Sequence, residues 1–251
     1  MSKIILITGA SSGIGYETAK IFITNGWRVI LVARRTSKLQ DILNEFSQYK
    51  DHIKLISVNV SNKQKLKTEF QNLPIDWQQV DVCFCNAGLA HGRDPFQNNI
   101  ESEWEEMVQT NINGVLYTTQ LVLPSMIERK KGYIITMGST AARWQYEGGA
   151  VYGATKAAID LFSQGLRIDL LKYGIKVSVL HAGAVETEFS KVRFKNDMEK
   201  FHNVYKGLTP LYGQDIADII WYLCNMPKNV VINDMVITPL AQANNYYFNR
   251  I

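Results

Sequence analysis

The chain of 251 residues is short of cysteine, of histidine and of long apolar runs, and each shortage removes a class of function. Three cysteines, Cys83, Cys85 and Cys224, give no disulfide framework and no metal-ligand spacing. Cys83 and Cys85 share one face of a strand-like run, where small buried hydrophobes are expected. The four histidines are widely separated, so no metal is expected. No apolar run approaches the ~20 residues needed to span a bilayer, so no membrane partner is expected. Residues 1–7 enter a strand with no signal-peptide layout, and a cytoplasmic compartment is the expectation. The net charge of +4 is spread along the chain. No basic stripe with interleaved aromatics is present, so no nucleic-acid partner is expected. What remains is 46% apolar and 20% charged, ordinary for a globular protein with a sizeable core, and 251 residues suit one α/β domain.

Strand-like and helix-like stretches alternate from end to end. Residues 4–8 are a short apolar run that stops at Gly9-Ala10-Ser11-Ser12-Gly13-Ile14-Gly15, followed by amphipathic sequence to Thr24 and a stop at Asn25-Gly26. In the order strand, glycine turn, helix, such glycines let the backbone approach a pyrophosphate, and the helix N-terminus offers free N–H groups. The second strand, 28–33, ends on Arg34-Arg35. A carboxylate for a ribose 2′-hydroxyl is missing there, and two guanidiniums suit a 2′-phosphate instead. NADP is therefore expected over NAD. Further strands are expected at 53–58, 80–85, 132–137, 175–180 and 231–237. Helices are expected at 37–49, 61–72, from a Ser102 cap to about Arg129, from near Val151, and at 214–224. The polar run Asn111-Ile112-Asn113-Gly114 is an odd interior for the 102–129 helix and implies a local task. Residues 184–208 read as a polar, irregular substrate lid at a strand's C-terminal end. The aromatic tail 246–248 is expected either to pack on a neighbouring subunit or to fray. With no linker or repeat, the fold expected is one doubly wound Rossmann-type α/β domain over 1–251, a central parallel sheet flanked by helices.

The stretch Ser139–Lys156 concentrates the chemistry. Tyr152 and Lys156 are four apart, one helical turn, so an ammonium is expected beside the phenol to lower its pKa. Ser139, at the end of the preceding strand, could bond the same substrate oxygen. Thr8-Gly9-x-x-x-Gly13-x-Gly15, Asn86-Ala87-Gly88, Asn111, Ser139 and Tyr152-x-x-x-Lys156, in this order, resemble the short-chain dehydrogenase/reductase family. Within it the chain is similar to the NADP-dependent 3-hydroxy acid (serine) dehydrogenases. Gly138-Ser139-Thr140-Ala141, Gly148-Gly149-x-Val151-Tyr152, Asn86-Ala87-Gly88-Leu89-Ala90 and Thr187-Glu188-Phe189-Ser190-x-Val192-Arg193-Phe194 carry that likeness. Three departures stand out. Asn59-Val60 replaces Asp-Val after the third strand, Ala182 replaces a proline before Gly183, and Gln145 replaces a proline beside Trp144.

The resemblance implies roles. Tyr152 would exchange the proton, with Lys156 lowering its pKa, Ser139 polarising the oxygen, and Asn111 holding a water that relays protons from Lys156. The cofactor NADP would lie against Gly9, Ser11, Ser12, Gly13, Ile14, Gly15, Arg34, Arg35, Asn59, Val60, Asn86, Ala87, Gly88, Tyr152, Lys156, Gly183, Val185 and Thr187. The substrate would meet Ser139, Tyr152 and Arg193, with Arg143 the competing cation for a carboxylate. The activity implied is hydride transfer between NADP and a small hydroxy acid or its carbonyl form, in a homodimer or homotetramer. A short-chain reductase of another small ketone or aldehyde, and an NADPH sensor without turnover, are the alternatives.

Overall fold

The computed structural model describes residues 2–251. The strands are β1 (Ile4–Thr8), β2 (Arg28–Ala33), β3 (Ile53–Ser57), β4 (Val82–Cys85), β5 (Gly132–Met137), β6 (Ile175–Ala182), β7 (Val185–Glu186), β8 (Leu211–Tyr212) and β9 (Asp234–Ile237). The helices are α1 (Gly13–Thr24), α2 (Thr36–Glu45), α3 (Lys63–Gln71), α4 (Glu101–Val108), α5 (Gly114–Glu128), α6 (Ala150–Leu170), α7 (Glu188–Arg193), α8 (Met198–Tyr205) and α9 (Gly213–Cys224). Seven strands form one sheet in the order β3-β2-β1-β4-β5-β6-β9, with every pairing parallel. The expected doubly wound α/β sheet is present.

Strand alternation divides the core. Ile5 and Ile7 of β1, with Val29 and Leu31 of β2, pack on one face against Phe22 and Ile23 of α1, Leu39 of α2 and Ile216 and Ile220 of α9. Ile4, Leu6, Ile30 and Val32 face the other way, onto Leu66 of α3, Val122 of α5 and Ile159 of α6. Both faces are covered, which is why these strands read as continuous apolar runs. Cys83 and Cys85 are buried in this second layer with their sulfurs 3.8 Å apart, as small core residues.

The chain order reverses between β1 and β4, so the crevice at their C-terminal ends is open to a ligand. Thr8 and Asn86 lock that point. The Asn86 and Ala87 N–H groups both donate to Thr8 Oγ1 at 3.0 Å, and Asn86 Nδ2 donates to the Thr8 carbonyl at 3.0 Å.

Several boundaries differ from expectation. The helix expected over 102–129 is present as continuous helix from Glu101 to Glu128, but residues Gln109–Asn113 within it form a π-helical turn between α4 and α5. Ser102 does not cap α4. The Ile100 carbonyl accepts the Glu103 and Trp104 N–H groups, so the helix starts one residue earlier. The lid segment 184–208 is not irregular but carries β7, α7 and α8, with Thr187 and Asp197 as side-chain caps. The tail does not fray at Phe248. Phe248 pairs with Gln242 in an antiparallel bridge, and the Ile251 N–H reaches the Gly207 carbonyl; Tyr246 and Tyr247 are exposed.

Candidate active site

The glycine turn after β1 forms the floor of a cleft at the switch point. Gly9 and Gly13 have φ of +67° and +53°, a left-handed backbone that side chains rarely adopt. The N-cap of α1, Ser12, makes no side-chain bond to the helix, so the first N–H groups of α1 have no protein cap. Ser11, Ser12, Ile14, Arg34, Arg35, Asn59, Val60, Asn86, Ala87, Gly88, Gly183, Val185 and Thr187 line the same cleft with Gly9 and Gly13. Gly15 does not line it. It packs behind, where an added Cβ would stand 2.3 Å from the Gly9 carbonyl oxygen.

The two arginines after β2 are held differently. Arg34 reaches Glu106 at 3.1 Å, while Arg35 donates to Ser11 Oγ, Ser12 Oγ and, at 2.8 Å, Glu188 of α7. Burial pushes the Glu188 carboxyl up, but hydrogen bonds from Arg35 and Ser12 outweigh it and hold the group below its usual range. Glu188 was not singled out from the sequence, because its partner lies 153 residues away.

Ser139, Tyr152 and Lys156 meet at the inner end of the cleft. Ser139 Oγ accepts the Ala141 N–H at 3.1 Å, which leaves the hydroxyl hydrogen free to donate elsewhere. Lys156 is buried, and its ammonium donates to the Met137 carbonyl at 2.8 Å. Desolvation brings its pKa down to about 8. The expected lowering of the Tyr152 pKa is not found. Burial dominates and pushes the phenol up to about 12, Tyr146 adds to this, and the Ser139 hydroxyl and Arg193 only partly offset it. The Lys156 ammonium is 5.9 Å from the Tyr152 ring centroid, and its hydrogen bond runs to the main chain instead.

Asn111 is fully buried in the π turn and does not line the cleft. Its Oδ1 accepts the Leu89 N–H at 2.8 Å, and its Nδ2 donates to the Leu89 carbonyl and to Thr155 Oγ1. The amide therefore ties the chain after β4 to α6, one turn from Tyr152. This is the local task that its odd composition implied.

Arg193 and Arg143 separate cleanly. Arg193 lines a second cavity that continues outward from Ser139 and Tyr152. Its Nε donates to the Gly92 carbonyl at 2.8 Å, and its Nη2 is buried without a partner. Arg143 lines neither cavity, since its guanidinium is bound to Asp234. Asp234 and Asp160 also lie 3.7 and 3.8 Å from His181 Nε2. So one histidine does join two carboxylates within 4.8 Å, a cluster that the scattered histidines of the sequence did not foretell. His181 enters the site because β6 runs two residues past its expected end. Its Nδ1 is 3.1 Å from the Ser139 carbonyl oxygen, a support directly behind the serine.

A glycine turn over an uncapped helix, two arginines at the next strand end and a tyrosine–lysine pair beside a serine can bind a dinucleotide and move a proton at an alcohol oxygen. Known proteins are similar to the chain along nearly its whole length. The short chain dehydrogenase family matches residues 3–198. An NADP-dependent 3-hydroxy acid dehydrogenase, YdfG, of Salmonella typhi is 40% identical over 241 residues, 96% of each chain. A serine 3-dehydrogenase of Rhizobium radiobacter is 39% identical over 243 residues, 97% of this chain and 96% of that one. A solved closed form of serine dehydrogenase complexed with NADP+ superposes with a TM-score of 0.93 at 38% identity, covering 96% of this chain and 97% of that one. Sequence, sheet order and site geometry agree in one assignment: the chain belongs to the short-chain dehydrogenase/reductase family.

Proposed function

We propose that the protein is an NADP-dependent oxidoreductase that interconverts a small 3-hydroxy acid and its carbonyl form. The observation that carries the substrate class is Arg193. A half-buried arginine whose Nη2 is buried without a partner, in the cavity that also holds Ser139 and Tyr152, calls for an acceptor from outside the protein. A carboxylate fills that need bidentately. The relatives named for 3-hydroxy acids and for serine support the same class.

The cleft fits the cofactor on its own terms. The uncapped α1 N-terminus and the left-handed glycines suit a pyrophosphate, and Arg34 and Arg35 suit a 2′-phosphate. Asn59 and Val60 would meet the adenine, while Asn86, Ala87, Gly88, Lys156, Gly183, Val185 and Thr187 would flank the remainder. When bound, NADP supplies or accepts the hydride. Tyr152 gives its hydroxyl proton to the substrate oxygen in reduction and takes it back in oxidation. Ser139 donates its free hydroxyl hydrogen to that oxygen as charge grows there, a donor already oriented by Ala141 and backed by His181. Lys156 holds its place through the Met137 carbonyl, with its ammonium 5.9 Å from the Tyr152 ring centroid. Asn111 Oδ1 has one lone pair beyond its Leu89 bond, where a relaying water would sit. Residues 184–208 would act as the lid, since α7 carries Glu188 against Arg35 at one end and Arg193 at the other.

Arg193→Met is the test of the substrate class. It is expected to raise KM for 3-hydroxypropionate or serine far more than KM for an uncharged alcohol, about tenfold or more, in the range of one to two charge-assisted bonds. Equal effects on both substrates would remove Arg193 from the site.

The same reading takes the protein to be a cytosolic homodimer or homotetramer. Leu161, Ile168 and Leu171 are exposed by 68%, 76% and 76% at helical spacing on and just after α6, a stripe that a second copy would cover. Among the described residues no helix is long and apolar enough to cross a membrane. Light scattering giving the mass of a single chain would refute the oligomer, and recovery in the membrane fraction would refute the compartment.

A further inference from the structure

The second cavity holds more unpaired polar groups than Arg193. The Tyr146 hydroxyl is buried there and, like Arg193 Nη2, has no hydrogen-bond partner. Arg93 lines the same cavity. Arg28, Arg34, Arg35, Arg129 and Arg143 all have carboxylate partners, whereas among the described residues Arg93, Arg193, Arg167 and Arg250 have none; Arg167 and Arg250 each donate twice to main-chain carbonyls instead. The two guanidinium carbons stand 4.9 and 5.3 Å from the centroid of the Tyr146 ring, so the phenol sits among both cations. Partial burial, and then the nearness of Arg193, lower the pKa of Arg93, while Tyr146 and Glu147 partly offset this.

The backbone fixes this grouping before any ligand arrives. Gly92 N–H donates to the Arg193 carbonyl at 2.9 Å while Arg193 Nε donates back to the Gly92 carbonyl, so the lid helix is pinned to the loop after β4. Gly148, at φ +71°, packs directly on Arg93, where an added Cβ would lie 1.9 Å from the Arg93 carbonyl oxygen. The loop bearing Tyr146 and the loop bearing Arg93 are thereby held together. Three donors of two chemical kinds converge where Ser139 and Tyr152 open outward, and no carboxylate lines that cavity.

We infer that Tyr146 and Arg93 complete, with Arg193, a three-residue receptor for the substrate's carboxylate, and that they set the preference for acids over neutral alcohols. This deepens the hydroxy acid reading and rests on it. A carboxylate offers only acceptors, two oxygens with about four lone-pair positions, and so can satisfy the Arg193 Nη2, the Tyr146 hydroxyl and an Arg93 donor at once. A neutral alcohol leaves all three unanswered, and for the two that are buried, Arg193 Nη2 and the Tyr146 hydroxyl, this is a stronger basis for rejection than the loss of packing alone.

The experiment compares the wild type with Tyr146→Phe and Arg93→Gln. KM and kcat are measured for 3-hydroxypropionate and for 1-propanol, together with competitive inhibition by propionate, which has the carboxylate and no hydroxyl. Tyr146→Phe is expected to raise the propionate Ki and the hydroxy acid KM about tenfold more than the alcohol KM, and Arg93→Gln about threefold more, being nearer the mouth. Since the Tyr146 hydroxyl has no protein partner, its removal is expected to leave the melting temperature unchanged or higher. A fall of several degrees would give the hydroxyl a structural role and overturn the assignment. Equal changes for acid and alcohol, with the propionate Ki unmoved, would overturn the receptor while leaving the hydroxy acid activity in place. A wild type that oxidises the alcohol, ignores the acid and is not inhibited by propionate would instead overturn the hydroxy acid reading itself, and the receptor with it.

Discussion

Tyr152→Phe is expected to lower turnover by about 10²–10⁴-fold, the contribution of a positioned acid–base group, while NADPH binding stays close to that of the wild type. The phenol is the only hydroxyl besides Ser139 at the junction of the two cavities that can pass a proton to a substrate oxygen, among the residues that line both. Phenylalanine keeps the ring, which packs 5.6 Å from the Phe189 ring, so the pocket's shape is preserved. Burial pushes the free phenol up to about 12, which makes it a competent acid for reduction at neutral pH. As a base for oxidation it must lose that proton, so the oxidative rate is expected to climb steadily with pH. Stopped-flow hydride transfer together with fluorescence titration of NADPH separates the two effects. Retention of more than about a tenth of the wild-type rate, well short of the ~10²-fold minimum for such a group, would assign the proton to another residue.

Arg34→Ala is expected to weaken NADPH by about 1–3 kcal/mol, the range for charge-assisted hydrogen bonds, and to change NADH little. The two arginines do not start from equal positions. Arg34 is engaged by Glu106 and Arg35 by Glu188, so a 2′-phosphate competes with a carboxylate for each guanidinium. Both ion pairs are about half exposed and weak, and a dianionic phosphate held by two arginines outweighs them. The converse substitution follows from the same geometry. Glu188→Gln frees Arg35 and is expected to tighten NADPH without affecting NADH. Isothermal titration with both cofactors is the measurement. A loss from Arg34→Ala that is equal for NADPH and NADH would make that arginine structural.

The parallel sheet and the positions of its strands were legible in the sequence because they rest on short-range rules. Strands β1, β2 and β5 fall where their apolar runs begin and end, since both faces of a parallel sheet are covered and glycine or arginine stops the run. The Tyr152–Lys156 pair is a property of helical spacing alone. The glycine turn, the paired arginines and Asn111 were legible as motifs; Gly9, Gly13, Arg34 and Arg35 line the cleft, whereas Gly15 packs behind it and Asn111 lies buried against Leu89 and Thr155.

What the sequence by itself determined, then, is local: where the chain extends, where it coils, and which residues carry chemistry at fixed spacing. Only the tertiary structure decided how those residues balance one another. It raised the Tyr152 pKa where the neighbouring lysine had implied a fall, because burial acts on the phenol through the whole surrounding fold and the Lys156 bond goes to Met137. It sent Arg143 to Asp234, 91 residues away, and left Arg193 facing the cavity. It brought Tyr146 and Arg93 together across a loop contact that depends on one glycine, and set His181 behind Ser139 by extending β6 two residues. Charge, burial and hydrogen bonding act through space between segments far apart in the chain, and that proximity exists only once the sheet has closed around them.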